Sequence, residues 1–194
     1  KKDIFILVEI SKFQTTNNIE SFCDAMDFHE YVQTSINNNL ILDGVVSGSD
    51  DRSKQIWSVR SLIPYASAED GPQVKNDISL PISSIPEFLS NVSKKLEIFP
   101  GIRIINFGHL GDGNLHFNIA CPPEQQINSD SGNSEQNAEE FMLKNEDKIR
   151  KIVHDEVIFF KGSIAAEHGV GQLRKSELER IKPKVELELM RKIK

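Results

Sequence analysis

The sequence predicts an α+β domain in which helices pack on one face of a mainly antiparallel sheet, with ferredoxin-like elements. Strand patterns at residues 102–109 and 115–121 are joined by Asp112-Gly113, a dipeptide typical of β-hairpins. Apolar residues at helical spacing occur both before and after this hairpin. Strands and helices are therefore mixed, and at least one strand pair is antiparallel, which favours this fold class.

The first third of the chain combines two strand patterns with two helical patterns. Residues 4–10 and 40–46 are rich in β-forming side chains and predict two short strands. Residues 18–36 and 51–68 carry apolar side chains at helical spacing and predict helices. We expect Pro64 to kink or end the second helix, because proline lacks an amide hydrogen and clashes with the preceding turn.

The remainder of the chain predicts one more strand and three helical regions around the hairpin. Residues 77–80 predict a short strand, and a helix begins near Ser84 and is broken by Pro100-Gly101. Residues 124–137 are almost entirely polar and predict a surface loop. Residues 138–160 return to helical spacing, and a last helical stretch runs to the end of the chain.

Composition excludes several classes of protein. The 194 residues contain 23 Lys and Arg against 29 Asp and Glu, a net charge of −6, and an acidic chain is a poor nucleic-acid binder. No apolar run approaches the roughly 18–20 residues of a membrane span. Cys23 and Cys121 form no CxxC pair, so we expect two reduced cysteines rather than a disulfide framework or a thiolate zinc finger.

The two ends of the sequence predict a piece of a longer protein. The chain begins at Lys1 without a methionine and stops at Lys194 within a helical pattern. We expect any targeting segment to lie outside these residues. The expected compartment is the cytoplasm or the mitochondrion.

Histidines and a carboxylate mark the candidate site. His109 and His116 flank the hairpin turn, and strand alternation places Asn118 on the same face as His116. Glu167 stands beside His168 in a second segment. Two imidazoles and a carboxylate can bind a divalent metal with positions left open for substrate, which would leave His168 as a base. The alternative is a hairpin with histidines at its rim and no ligand.

A cationic pair could bind a carboxylate near such a metal. Arg60 lies on the second predicted helix and Lys75 follows a turn that contains Gly71-Pro72. Arginine can bind a carboxylate through two parallel hydrogen bonds. The alternative is that both side chains are simply solvated.

Three further polar residues are interpreted without a catalytic role. His29 lies beside the apolar stripe of the first helix, and His154 lies among charged residues, so we expect His154 to face solvent. Asp112 could be a catalytic acid, but a turn aspartate that accepts a hydrogen bond from its own backbone is favoured.

Three segments resemble one known family. Residues 106–118 (NFGHLGDGNLHFN) and 164–171 (IAAEHGVG) look like the two signatures of the FAD-linked oxidase C-terminal domain, and residues 57–81 resemble a third block. That domain occurs in flavin-dependent D-2-hydroxyacid dehydrogenases of the vanillyl-alcohol oxidase superfamily. Its members include D-lactate dehydrogenase, D-2-hydroxyglutarate dehydrogenase and the glycolate oxidase catalytic subunit.

The resemblance implies a role for each candidate residue. Zinc or manganese would be bound by His109, His116 and Glu167. His168 would be the base that takes the proton of the substrate hydroxyl. The substrate would be contacted by Arg60, Lys75 and Asn118.

The resemblance also implies the reaction and its partners. A D-2-hydroxy acid would be oxidised to the 2-oxo acid by hydride transfer to FAD, and an electron acceptor would reoxidise the flavin. Pro64 stands where the hydroxyglutarate enzyme has a side-chain hydroxyl for the second carboxylate, which favours a lactate-like monoacid. FAD would be bound mainly by a domain N-terminal to residues 1–194, so we expect this chain alone to be colourless and inactive.

The residues leave two other classes of function open. The same histidines and carboxylate could form a zinc hydrolase site, with metal-bound water as the nucleophile. The chain could also be a catalytically silent module that binds a metal or a partner. The sequence lacks the HExxH pattern, and the length of the two signatures argues against a hydrolase.

Overall fold

The structure, a computed structural model, describes residues 4–10, 25–121, 134–172 and 174–194. The chain divides into two compact units, Lys1–Tyr65 and Ala66–Lys194. Residue Cys23 and most of the predicted loop at 124–137 lie outside the described residues.

The first unit contains helix α1 (Ala25–Asn37) and most of helix α2 (Asp50–Glu69), which continues into the second unit. Its two predicted strands, at residues 4–10 and 40–46, are wrong, since neither segment is extended in a sheet. A run of β-forming residues becomes a strand only when a neighbouring strand pairs with it, and no described strand does so here.

Pro64 does not end α2, so that part of the prediction is wrong. The helix continues to Glu69 with Pro64 inside it. A proline in a helix interior removes one hydrogen bond and costs about 3 kcal/mol, which a helix of 20 residues accommodates here.

The second unit is built around an antiparallel sheet whose central strand is β4 (Asn114–Ala120). Strand β3 (Arg103–His109) pairs along one side of β4 through the predicted hairpin, which is confirmed. Two short strands, β1 (Gln73–Val74) and β2 (Asp77–Ser79), pair in succession along the other side.

Asn76 carries the sheet across the break between β1 and β2. Its backbone carbonyl accepts a hydrogen bond of 2.8 Å from the amide of Phe117. Its side-chain amide donates to the carbonyl of Phe117 at 2.9 Å. The side of β4 that faces β1 and β2 is therefore bonded across the gap, and β2 keeps its register.

Helices cover one face of this sheet, as predicted. Helix α3 (Ile85–Leu96) packs on helix α4 (Ser134–Phe159), and two short helices follow, α5 (Lys175–Ile181) and α6 (Lys184–Ile193). The last four residues of the predicted 124–137 loop already belong to α4. The buried side chains of this face include Ile78, Phe88, Val92, Phe117, Ile119, Ile149 and Val153.

The predicted α+β fold is confirmed, and its core lies entirely in the second unit among the described residues. Phe88 and Phe117 meet edge to face at 5.6 Å between ring centroids, a geometry that aromatic pairs favour. Cys121 is buried at the end of β4. Among the helices described, none combines the length and the apolar character that a membrane crossing requires.

Candidate functional site

The turn between β3 and β4 is shaped by its glycine and its aspartate. Residues Leu110–Asp112 form one turn of 3₁₀ helix, and Gly113 follows in the left-handed region at φ 73°. A Cβ at Gly113 would lie 2.0 Å from the carbonyl oxygen of Leu80, so only glycine fits. Asp112 Oδ1 accepts a hydrogen bond of 3.0 Å from the amide of Asn114, and this confirms its interpretation as a turn residue.

The face of β4 opposite the helices is polar. Strand alternation places Asn114, His116 and Asn118 on this face, because Leu115, Phe117 and Ile119 point into the core. His116 is registered between Asp77 of β2 and Phe107 of β3. The centroid of its ring lies 4.9 Å from that of Phe107, so the phenyl ring packs against the imidazole.

The segment that contains Glu167 and His168 is bonded to β2. Ser163 and Ser79 exchange two backbone hydrogen bonds, of 2.8 and 3.0 Å. The amide of Ala166 donates to the carbonyl of Asp77 at 3.2 Å. These bonds bring the second signature segment against the sheet, beside the hairpin signature.

The side chains of the two signatures converge in pairs. His109 Nε2 lies 3.8 Å from Glu167 Oε1, and His168 Nε2 lies 3.9 Å from Glu167 Oε2. His116 Nδ1 lies 3.7 Å from Asp77 Oδ1. The rings of His116 and His168 are 6.3 Å apart between centroids. Four residues predicted from sequence are thus neighbours, and Asp77 joins them.

The cluster has an accessible outer side and a sheltered inner side. The side chains of His168 and His109 are 75% and 53% exposed, whereas that of His116 is 19% exposed and that of Asp77 is 10% exposed. Glu167 and the two outer histidines are therefore accessible from solvent, whereas His116 and Asp77 are largely covered.

The donor set suits a divalent metal in its chemistry but is not gathered as a metal site. Two imidazoles and a carboxylate are ligands that zinc accepts. Within residues 4–10, 25–121, 134–172 and 174–194, no group of three or more His, Cys, Asp or Glu side chains is arranged to hold an ion. His109 and Glu167 face each other, while the Nδ1 edge of His116 faces Asp77.

The three residues predicted to contact substrate are distributed differently. Asn118 is buried on the same face as His116, and Lys75 is exposed two residues before Asp77. The carbonyl of Lys75 accepts a hydrogen bond of 2.9 Å from Arg174 Nη2, so its backbone is tied to the segment that follows the second signature. Arg60 belongs to α2 in the first unit, and its role remains a prediction.

Arg174 and Asp77 are structural partners of the site that sequence reasoning missed. Burial lowers the pKa of Arg174, while the negative charge of Asp77 acts in the opposite direction. The signal available for Asp77 was its place two residues after Lys75, inside the third family block. Nothing in the pattern of residues indicates that Arg174 reaches the carbonyl of Lys75.

The solvent-facing prediction for His154 is wrong. Its side chain is fully buried, and its Nδ1 lies 2.8 Å from Glu177 Oε2. His154 adjoins Val153 and lies one turn before Val157, so it shares the apolar face of α4 although its other neighbours are charged. Burial lowers the pKa of His154, and the Glu177 carboxylate opposes this effect.

The fold and these signatures define a class of protein. The family described as FAD linked oxidases, C-terminal domain, matches residues 17–194, and the chain belongs to that family. The resemblance carried by the three sequence segments is thereby confirmed.

Curated relatives give particular proteins to which the chain is similar. It is 35% identical over 163 residues to D-2-hydroxyglutarate dehydrogenase of Xanthomonas citri pv. viticola, a match that covers 84% of this chain and 32% of that protein. The enzyme of the same name from Stutzerimonas stutzeri is 35% identical over 155 residues, 79% of this chain and 31% of that protein. A mitochondrial D-2-hydroxyglutarate dehydrogenase of Danio rerio is 28% identical over 190 residues, 98% of this chain and 31% of that protein. The chain thus spans about a third of the length of these relatives.

Proposed function

We propose that this chain is the substrate-binding part of a flavin-dependent dehydrogenase that oxidises a D-2-hydroxy acid to the 2-oxo acid. The observation that carries the proposal is the cluster of His109, His116, Glu167 and His168 on one face of the sheet. The family match and the dehydrogenase names of the relatives support it. The same relatives, bacterial and mitochondrial, support the predicted cytoplasmic or mitochondrial location.

His168 is proposed as the base. Its imidazole is the most exposed of the cluster and lies beside Glu167, whose negative charge would stabilise an imidazolium. In the reaction, the C2–H bond breaks with its electron pair leaving as hydride. The hydroxyl proton passes to His168, and the C–O single bond becomes the carbonyl of the 2-oxo acid.

The cationic and amide side chains are proposed to hold the substrate. Lys75 would neutralise its carboxylate, and Asn118 would hydrogen-bond to it from the buried part of the face. Contact of Arg60 with the substrate is a separate prediction from the sequence. FAD, when bound, would supply the hydride acceptor. A divalent zinc or manganese ion, if His109, His116 and Glu167 gathered around it, would polarise the oxygens of the substrate.

The base is tested by kinetics of His168→Gln in the intact protein. Because His168 takes a proton only as the hydride leaves, we expect kcat to fall by on the order of 10²–10⁴ with a smaller change in KM. The matched control is His29→Gln, an exposed histidine of α1 in the first unit, which should leave both constants unchanged. An unchanged kcat in His168→Gln contradicts the assignment.

The metal is tested separately by metal content. His116→Ala should lower the zinc or manganese content of the intact protein, whereas His29→Ala should not. Equal metal content in wild type and His116→Ala shows that His116 is no ligand.

Hydrolysis of an ester or amide by the metal-loaded protein, without reduction of flavin by any hydroxy acid, would instead favour the zinc hydrolase. A protein with neither activity would be a silent binding module.

A further inference from the structure

Asp77 accepts hydrogen bonds that fix the second signature segment. Its Oδ2 accepts the backbone N–H of Glu167 and that of His168, each at 2.9 Å. The side chain is only 10% exposed, so these bonds are sheltered from water. A buried carboxylate that accepts two amides has little freedom to rotate, because rotation would leave both donors unpaired.

The same carboxylate faces the hairpin signature with its other oxygen. Asp77 Oδ1 lies 3.7 Å from His116 Nδ1, and it has no hydrogen-bond partner among the described residues. An ionised carboxylate accepts hydrogen bonds and donates none. The electrostatically favoured imidazole therefore turns an N–H, and not a lone pair, toward Asp77.

We propose that Asp77 is a positioning residue that joins the two signatures. It holds the backbone of Glu167 and His168 through Oδ2, and through Oδ1 it keeps the proton of neutral His116 on Nδ1. The lone pair of His116 is then on Nε2, the other nitrogen of the ring. The catalytic consequence depends on the proposed function, but the positioning itself does not.

A purely structural role for Asp77 would give different experimental results. A residue that only anchors a segment affects stability and the exchange of the two amides. It has no effect on which nitrogen of His116 carries the proton. The tautomer of His116 is therefore the readout that separates the two roles.

The experiment compares wild type, Asp77→Asn and Asp155→Asn in the intact protein, treated with a chelator and labelled with ¹⁵N-histidine. The asparagine oxygen can still accept both amides, but its NH₂ group would then face His116 and favour a lone pair on Nδ1. Long-range ¹H–¹⁵N spectra report the tautomer, and His116→Gln assigns the signal by its loss. Asp155 is the control because its carboxylate pairs with Lys151 of the same helix, α4, and with Arg180 of α5, and contacts neither signature.

We expect Nδ1–H in wild type and in Asp155→Asn, and Nε2–H in Asp77→Asn. An Nε2–H tautomer in wild type overturns the proposal even if Asp77→Asn fails to fold, and so does an unchanged tautomer in Asp77→Asn. Activity is read in parallel, with a loss of about 10–100-fold expected for Asp77→Asn. If the tautomer shifts while no variant oxidises a hydroxy acid, the positioning role is supported and the proposed function fails.

Discussion

At the scale of single residues, the clearest feature outside the site is His154, a buried histidine with charged neighbours in the sequence. His154 Nδ1 faces an ionised carboxylate at 2.8 Å and must carry a hydrogen, so its buried Nε2 holds a lone pair without a partner among the described residues. Arg180 hydrogen-bonds to Glu177 and holds the pKa of that carboxyl at about 2, although partial burial acts in the opposite direction. Arg180 also pairs with Asp155 of α4. These hydrogen bonds and ion pairs connect α5 to α4.

Because of His154 and Glu177, the free energy of unfolding should fall over two separate ranges of acidic pH. His154 has a native pKa below its ordinary 6.5, so the unfolded chain binds its proton first as the pH drops below 6.5, and stability is lost from there down to the native pKa. Glu177 then acts between pH 4.5 and about 2, since its unfolded form protonates first. Urea unfolding measured against pH checks both windows.

The matched variants for this prediction are His154→Phe and His29→Gln. Phenylalanine fills the buried position without a titrating group, so the upper window should disappear while the lower one persists. His29→Gln should keep both windows, because it removes an exposed histidine. If His154→Phe still loses stability as the pH falls below 6.5, another residue causes that loss.

Substrate preference is the second prediction at the scale of single residues, and it concerns Pro64. The lactate-like preference remains a prediction that depends on the missing hydroxyl at this position, whereas the relatives are named D-2-hydroxyglutarate dehydrogenases. Pro64→Thr should raise kcat/KM for D-2-hydroxyglutarate relative to D-lactate, and Pro64→Ala should not. Wild type that already prefers D-2-hydroxyglutarate contradicts the lactate-like preference.

The pattern of the sequence predicted the members of the candidate cluster except Asp77, which it missed for a physical reason. His109, His116, Glu167 and His168 stand in long local signatures, and a hairpin brings its own flanks together. Asp77 acts through contacts with residues about 90 positions away in the chain. Such long-range pairing depends on the packed sheet, which local spacing does not describe.

At the scale of elements, the hairpin could be predicted and the first two strands could not. An Asp-Gly turn supplies its own pairing partner a few residues away. Residues 4–10 and 40–46 have the composition of strands, but they would need a partner from elsewhere in the chain. Likewise, Pro64 weakens α2 locally while the rest of the helix keeps its hydrogen bonds.

The prediction at the scale of elements concerns Gly162, which lies where the second signature segment approaches β2. A Cβ at this position would lie 2.3 Å from the carbonyl oxygen of Ser79, which is backbone that cannot rotate away. Gly162→Ala should therefore displace the pairing between Ser79 and Ser163 and lower the free energy of unfolding by about 1–3 kcal/mol. Chemical denaturation measures the loss.

Gly111→Ala is the matched control for this substitution. A Cβ at Gly111 meets no atom within 4 Å, so the change in unfolding free energy should stay within about 0.5 kcal/mol. Equal stability of the two variants would mean that the backbone at Gly162 relaxes without cost.

At the scale of the whole molecule, the two units differ in how much apolar surface they bury. Among the residues that the structure describes, the buried core lies between Val74 and Ile164, whereas Ile4 and Phe5 in the first unit are 83% and 93% exposed. Local opening requires less free energy where few apolar contacts are lost. The second unit should therefore hold most of the stability of this chain.

Hydrogen exchange followed by mass spectrometry checks this prediction. The amides of β4, α3 and α4 should exchange slowest, at rates set by global unfolding. The amides of α1 should exchange by local opening, many times faster. Protection of α1 equal to that of β4 would show that the first unit unfolds together with the core.

The contact between Asp77 and the amides of Glu167 and His168 has a consequence for biosynthesis. The residues it joins are separated by 90 and 91 positions. At a translation rate of 5–20 residues per second, the ribosome adds the second signature roughly 5–20 s after Asp77. During that interval β2 and the hairpin can already pair, but the carboxylate has no amides to accept. The candidate site is therefore completed only after Glu167 and His168 have been added, and a nascent chain halted before residue 167 would carry His109 and His116 without the segment that faces them.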